Sequence, residues 1–386
     1  MIQISQFLTN ILSEAHLLQA SDIHIQPCPQ EYRIRFRIDG LIEQHTSISN
    51  PIGVHLISRI KVLAHMDVAE KRRPQDGTFS FNYHTSPSEI RVGTFPTIHG
   101  EKVVLRILDS VNYSSLSLRQ LGLSDTLAEC IEKIVALSHG FLIVTGSTGS
   151  GKTTTLHALL STLESSHKNI VTLEDPVEYV LEGITQTRIH QEIGLTFQAG
   201  LRSLLRQDPD VIMVGEIRDK ETAQVAVQAA LTGHQVLTTL HTNDALGALM
   251  RLTHMGIERY LLAGSVKAII AQQLVRRICK MCAYTHEPST EQQTILQKYS
   301  YVVSTVTVGR GCKVCRGSGF KGRIGIFQFL QLSPLLCSLF VQGADYEQLL
   351  RCAEQFGMGH LHADAFNKLK EGIISFNEFV RVAASC

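Results

Sequence analysis

The segment "GFLIVTGSTGSGKTTTLHALL", Gly140 to Leu160, constrains the fold of this 386-residue chain more than any other. An apolar run, a loop of small residues and a helical run follow one another directly. The loop "GSTGSGKT" has the spacing G-x-x-x-x-G-K-[ST]. Small residues let several backbone N–H groups converge on a phosphate, and the helix behind adds the positive end of its dipole. The candidate nucleotide-binding residues are therefore Gly146, Ser147, Thr148, Gly149, Ser150, Gly151, Lys152, Thr153 and Thr154. Lys152 is expected to reach the β- and γ-phosphates of a nucleotide, and Thr153 to hold Mg²⁺. A mere flexible glycine turn is disfavoured by the strand, the Lys-Thr pair and the helix occurring together.

From about Leu121 to Gln273 the pattern around this loop repeats. Apolar runs "NIVTLED", "DVIMVGEI" and "HQVLTTLH" alternate with helical stretches such as "KETAQVAVQAALTG". Alternation of this kind predicts a mostly parallel sheet covered on both faces, the α/β class. "DPDVIMVGEIRD" ends its apolar run on Glu216, a carboxylate suited to holding a metal's water shell or orienting an attacking water. The plainer alternative is a surface glutamate. In "LEDPVEY", Glu174, Asp175 and Glu178 form a third acidic cluster expected along the same sheet edge, although Asp-Pro after a strand is also an ordinary turn. His234 and His241 bracket the last of these strands, and a histidine alone does not announce catalysis.

Ahead of the α/β region, "MIQISQFLTNILSEAHLLQASD" carries apolar residues at helical spacing. "EYRIRFRIDG" alternates strictly, with Arg33, Arg35 and Arg37 on one face, and "GTFSFNYH", "SEIRVGTFPT" and "EKVVLRIL" read as strands. The expected organisation is an α+β domain over 1–108, a serine-rich linker over 109–120, the α/β core over 121–275, a cysteine-bearing lobe over 276–320 and a helical C-terminal region over 321–386. A net charge of +1 without a long basic run argues against a nucleic-acid backbone as the main partner. No signal peptide is legible at the N-terminus, and no apolar run reaches the ~18 residues of a membrane-spanning helix.

Nine cysteines, five of them scattered, do not resemble a secreted disulfide framework and point to a reducing, cytoplasmic setting. The other four, Cys279, Cys282, Cys312 and Cys315, form two Cys-x-x-Cys pairs. They fit a tetrahedral zinc site with no open position, hence a structural one. A redox pair and four free thiols are the alternatives, and flanking Arg and Lys residues favour the metal. A helical pattern runs into the first pair through "QQLVRRIC".

Taken in order, "SDIHIQP", "RIRFRIDG", "EKRRPQDG", "GSTGSGKTTTL", "LEDPVEY", "LRSLLRQDPDVIMVGEIRD", "TGHQVLTTLHTNDA", the double Cys-x-x-Cys and "GHLHADAFNKLKEGIIS" resemble the secretion ATPases of bacterial type II secretion and type IV pilus assembly. The resemblance spans essentially the whole chain. It implies a RecA-like P-loop NTPase domain preceded by a small α+β, PAS-like domain, with a zinc-binding insertion and a helical tail. It implies a homohexameric ring with ATP held between the two domains of a subunit, near its neighbour. Glu174 to Glu178 fall on the family's aspartate box, Glu216 on its Walker B glutamate, and His234 and His241 on its histidine box. Glu216, Glu178 and His241 become the catalytic candidates. Arg91 and Arg72 become candidates for phosphate contact, Arg72 or Arg73 standing in for an arginine the family usually has where this chain has Thr78. Gln328 stands where glutamate is frequent. The first family motif starts at Ser21, so the sequence reads as a short form lacking the usual N-terminal docking domain.

The function these resemblances imply is a cytoplasmic Mg-ATPase peripheral to the inner membrane. It would power pseudopilus or pilus assembly through a membrane platform protein, without stable nucleic-acid binding. A DNA-uptake or conjugation-type ATPase and a regulatory ring subunit with little turnover are the alternatives.

Overall fold

A computed structural model describes residues 4–83, 86–108, 116–163 and 166–384, in two compact units, Met1–Asn112 and Tyr113–Cys386. Residues 109–115 of the expected linker, and Cys386, lie outside the described residues.

In the first unit, helix α1 (Ile4–Leu17) buries Leu8, Ile11, Leu12 and Ala15, the stripe expected from their spacing. Six strands follow: β1 (Asp22–Pro27), β2 (Glu31–Ile38) and β3 (Leu41–Ser49), then helix α2 (Asn50–Leu63), then β4 (Gln75–Tyr83), β5 (Ser86–Thr97) and β6 (Gly100–Leu108). They form one antiparallel sheet in the order β3-β2-β1-β6-β5-β4. Strand alternation sets its two faces. Ile23, Ile25, Ile34, Phe36, Ile90 and Leu105 join the buried side chains of both helices. Burial of one such side chain contributes about 1.5–3 kcal/mol. The opposite face carries charge: Arg37 and Arg106 flank Asp22 at 3.4 and 2.9 Å.

The second unit runs α3 (Leu118–Leu121), α4 (Asp125–Val135), β7 (Gly140–Thr145), α5 (Lys152–Leu160), β8 (Ile170–Glu174), β9 (Thr185–Arg188), α6 (Phe197–Leu204), β10 (Val211–Val214), α7 (Lys220–Leu231), β11 (Gln235–Leu240), α8 (Ala245–His254), α9 (Arg259–Ser265) and β12 (Val266–Ile278). Then come β13 (Ala283–His286), α10 (Thr290–Lys298), β14 (Val306–Gly309), β15 (Phe320–Gln331), α11 (Pro334–Val341), α12 (Tyr346–Gln355), α13 (Leu361–Lys370) and α14 (Phe376–Ala383). The central sheet has the order β15-β12-β7-β11-β10-β8-β9, and only β15 is antiparallel to its neighbour. Its central strands β7, β8 and β10 are buried on both sides. Phe141, Ile143, Ile212 and Val214 face one core, and Leu142, Val144, Val211 and Met213 face another beneath α4 and α5. That double burial is the expectation for a parallel sheet.

Two expectations are corrected. "QQLVRRIC" is not helical; it is the end of the thirteen-residue strand β12, parallel to β7 and antiparallel to β15. The C-terminal region does not begin as helices. "FKGRIGIFQFLQ" is β15, and the helices start at Pro334. Both stretches gain their hydrogen bonds from strands far away in sequence, and this outweighs local preference. The central sheet therefore draws strands from both sides of the cysteine lobe.

Candidate active site

The phosphate loop leaves the carboxyl end of β7 and re-enters as the first turn of α5. Ser147, Thr148 and Gly149 form its exposed rim, Ser150 and Lys152 are buried, and Thr153 and Thr154 sit half-buried on the first helical turn. Lys152 Nζ donates to the carbonyls of Gly146 and Ser147, each at 2.9 Å. Burial pushes the Lys152 pKa down, and the Glu216 carboxylate partly counters it. A desolvated ammonium held only by carbonyl dipoles gains from a phosphate anion.

A residue that sequence reasoning missed fixes this loop. Gln272, on the neighbouring strand β12, donates from Nε2 to the Ser150 carbonyl at 2.8 Å. It accepts at Oε1 from Thr155 Oγ1 at 2.6 Å. On the other side of β7, Thr145 Oγ1 lies 2.7 Å from Thr242 Oγ1, just past the end of β11.

Parallel strands deliver their carboxyl ends to one edge, so the residues that follow β7, β10 and β11 come together. Glu216 follows β10 and His241 follows β11. His241 Nε2 is 3.5 Å from Glu216 Oε2, and Arg218 Nη2 is 2.7 Å from Glu216 Oε1. Arg218 was not singled out in the sequence, because nothing local marks it as a partner. Burial and the Lys152 charge hold the His241 pKa below its usual 6.5, although Glu216 pulls it upward. His234 takes no part. It precedes β11 at the opposite sheet edge, with Nδ1 3.1 Å from the Ala229 carbonyl oxygen.

The acidic cluster splits. Glu174 is a correction: it does not line the edge but is 2% exposed. Its Oε1 accepts from Thr172 Oγ1 at 2.7 Å and Gln186 Nε2 at 2.9 Å, and its Oε2 lies 3.1 Å from His157 Nε2 on α5. Burial raises its pKa, but His157, Gln186 and Thr172 more than offset this and leave it lowered. Asp175 is exposed, and Glu178 is half-buried in the loop beyond the cis peptide Asp175–Pro176. Arg91 lies on β5, opposite Thr78 and Arg106 on its two neighbours, and Arg72 is an exposed loop residue beside Glu70. Gln328, on β15, accepts at Oε1 from the Ala245 N–H at 2.9 Å, the first residue of α8.

The four motif cysteines converge. Their sulfurs all lie within 4.8 Å of one another, with Cys279–Cys312 at 3.9 Å and Cys282–Cys315 and Cys312–Cys315 at 3.7 Å. A tetrahedral zinc with Zn–S bonds of about 2.3 Å requires S···S edges of about 3.8 Å, so the residues fit the metal. Backbone N–H groups of Cys312 and Gly319 approach Cys315 Sγ at 3.1 and 3.3 Å. Such donors orient and stabilise a thiolate ligand.

The fold and the loop define a P-loop nucleotide-binding protein. Residues 2–381 match the family model described as Type II/IV secretion system protein, and the chain belongs to that family. It is 43% identical to the type II secretion system protein E of Pseudomonas aeruginosa over 379 residues, 98% of this chain and 75% of that one. It is 42% identical to the type II secretion system ATPase E of Vibrio cholerae over 379 residues, with the same two coverages. Among solved structures, the Legionella pneumophila ATPase DotB shares the fold with a TM-score of 0.73 at 23% identity, covering 98% of this chain and 96% of that one. The pilus retraction motor PilT with bound ADP does so with a TM-score of 0.65 at 24% identity, covering 97% and 96%.

Proposed function

We propose that this chain hydrolyses Mg-ATP as a homohexamer and powers pseudopilus or pilus assembly for type II protein secretion. Its partner would be an inner-membrane platform protein, met from the cytoplasmic side. Family membership and the relatives' names support the secretion setting. Among the described residues, no helix is long and apolar enough to cross a membrane. The observation that carries the enzymatic reading is the juxtaposition, at one sheet edge, of the buried Lys152 with Glu216 and His241.

In this mechanism the loop N–H groups and the α5 N-terminus bind the phosphates. Lys152 exchanges its two carbonyl partners for β- and γ-phosphate oxygens, and Thr153 would hold the magnesium, which when bound would supply neutralisation of the charge developing on the transferred phosphoryl group. Glu216, held by Arg218 and His241, orients the attacking water and accepts its proton, and Glu178 supports it from the acidic loop. Neutral His241 acts as a hydrogen-bonding partner rather than a second cation. Arg72 and Arg91 are proposed phosphate contacts. The four cysteines would hold a structural zinc that closes the lobe. ATP favours whichever conformation gives its γ-phosphate more contacts, and hydrolysis removes that preference, so turnover produces motion.

Steady-state ATPase assays on wild type and Glu216→Gln test the reading. A loss of about 10²-fold or more is expected for removal of a general base. Equal rates in the two proteins overturn it.

A further inference from the structure

We infer that Gln186, on the edge strand β9, is the positioning residue that holds the acidic-loop backbone carrying Glu178; this rests on the hydrolase reading above. One side-chain amide closes three hydrogen bonds. Gln186 Oε1 accepts from the Leu181 N–H at 2.7 Å, while Nε2 donates to the Tyr179 carbonyl and to Glu174 Oε1, each at 2.9 Å. The orientation of the amide is fixed by chemistry. Reversing it would set a carbonyl oxygen against two acceptors and an NH₂ against a donor.

The two backbone groups captured this way flank Val180, two residues beyond Glu178. Val180 is 85% exposed, but Leu181 beside it is 7% exposed and packs into the core under α5. The amide adds a polar grip to that apolar anchor, and the grip is fixed in turn. Glu174 is itself fixed by Thr172 and by His157, a fully buried residue of the helix that follows the phosphate loop. The Tyr179 ring adds a second link, edge-on to His157 with centroids 5.6 Å apart at 78°. A continuous path therefore runs from α5 through His157, Glu174 and Gln186 to the backbone on which Glu178 is carried. The thirteen residues that separate Gln186 from Thr172 in the chain bring it back into register with β8, where the two face each other. Its position along the acidic loop is thus set by the same sheet that carries the phosphate loop.

A residue acting in this way controls the chemical step and leaves nucleotide affinity alone. Gln186→Met keeps length and bulk but removes all three hydrogen bonds. Its kcat is expected to fall on the order of 10–100-fold, the cost of misplacing a reacting group by about 1 Å, with KM for ATP within about twofold. In the Glu178→Gln background the same change is expected to cost nothing more, because residues acting as one unit are not additive. Multiplicative losses, or a Gln186→Met effect confined to KM, overturn the inference. So does a Glu178→Gln protein with full activity, which leaves no acid to position. A wild-type protein with no ATPase activity defeats the hydrolase reading instead. If Gln186→Met does not fold, hydrogen exchange on the unaltered chain decides. The Leu181 amide is expected to exchange far more slowly than an exposed loop amide, and free exchange there removes the clamp.

Discussion

Gln272 and Ser150, 122 residues apart in the chain, are joined by a 2.8 Å hydrogen bond that ties strand β12 to the phosphate loop. Gln272, Ser150 and Thr155 are all buried, at 2%, 3% and 0% exposure. Replacing Gln272 with Met would keep the packing and leave a carbonyl and a hydroxyl without their partner. Each such orphan costs about 1–3 kcal/mol. Gln272→Met is expected to lower the melting temperature by several degrees, and to weaken ADP binding by about tenfold, equivalent to about 1.4 kcal/mol. Thermal denaturation and titration calorimetry check the two effects separately.

The His241–Glu216 contact gives a pH prediction. Burial and the Lys152 ammonium hold the His241 pKa below 6.5. The neutral imidazole is then the form present above that value, and protonation sets in only at lower pH than for an ordinary histidine. The acid limb of kcat/KM is expected to lie below pH 6.5, with a flat region across neutrality. His241→Gln is expected to remove or shift that limb. A wild-type limb at or above pH 7 contradicts the assignment.

Much of this site is legible in the sequence because its signals are local. The phosphate loop announces itself by spacing, and β7, β8, β10 and β11 by short apolar runs between helical patterns. Glu216 is legible as the carboxylate that ends such a run, whereas His241 stands out only through the resemblance to the family's histidine box. What escapes is whatever depends on a distant partner. "VKAIIAQQLVRRI" contains Ala, Gln, Leu and Arg, all good helix formers. It is a strand only because β7 and β15 lie on either side of it. Gln272 acquires its role from that pairing and so carries no mark of its own. Glu174 looks like a sheet-edge carboxylate until His157, seventeen residues earlier, is found beside it. The cysteine lobe is legible from pair spacing alone, whereas β15, which returns from it into the central sheet, is not.

The tetracysteine lobe predicts a metal and a local effect of losing it. The purified chain is expected to hold one zinc per polypeptide, and Cys312→Ser to lose it. Structural zinc binding is worth roughly 10–16 kcal/mol in small domains. The zinc-free lobe is therefore expected to open, exposing 283–309 to limited proteolysis. Strands β12 and β15 anchor the lobe through ten register positions, so the central sheet is expected to survive. ADP affinity should then change by less than about twofold on the same scale. Metal analysis and mass spectrometry of the fragments test this. A Cys312→Ser protein with full zinc content and unchanged cleavage excludes the site.

Two glycines of the phosphate loop separate backbone geometry from steric room. Gly149 has φ +77° and open space where a Cβ would go. Gly149→Ala then meets only the left-handed backbone cost of about 1–2 kcal/mol. Gly146 has φ +150°, and a Cβ there would overlap the backbone carbonyl oxygen of Gln272. That carbonyl belongs to β12, where Gln272 is paired with Phe327 of β15 and directly follows Ala271, the last residue paired with β7, so it cannot retreat without disturbing the sheet. Gly146 also supplies a carbonyl to Lys152. Gly146→Ala is expected to abolish measurable nucleotide binding and lower the melting temperature clearly more than Gly149→Ala, which should keep binding within about tenfold. Measuring ADP affinity and melting temperature for both variants checks the order, and equal penalties would mean that the β12 carbonyl does not confine the loop.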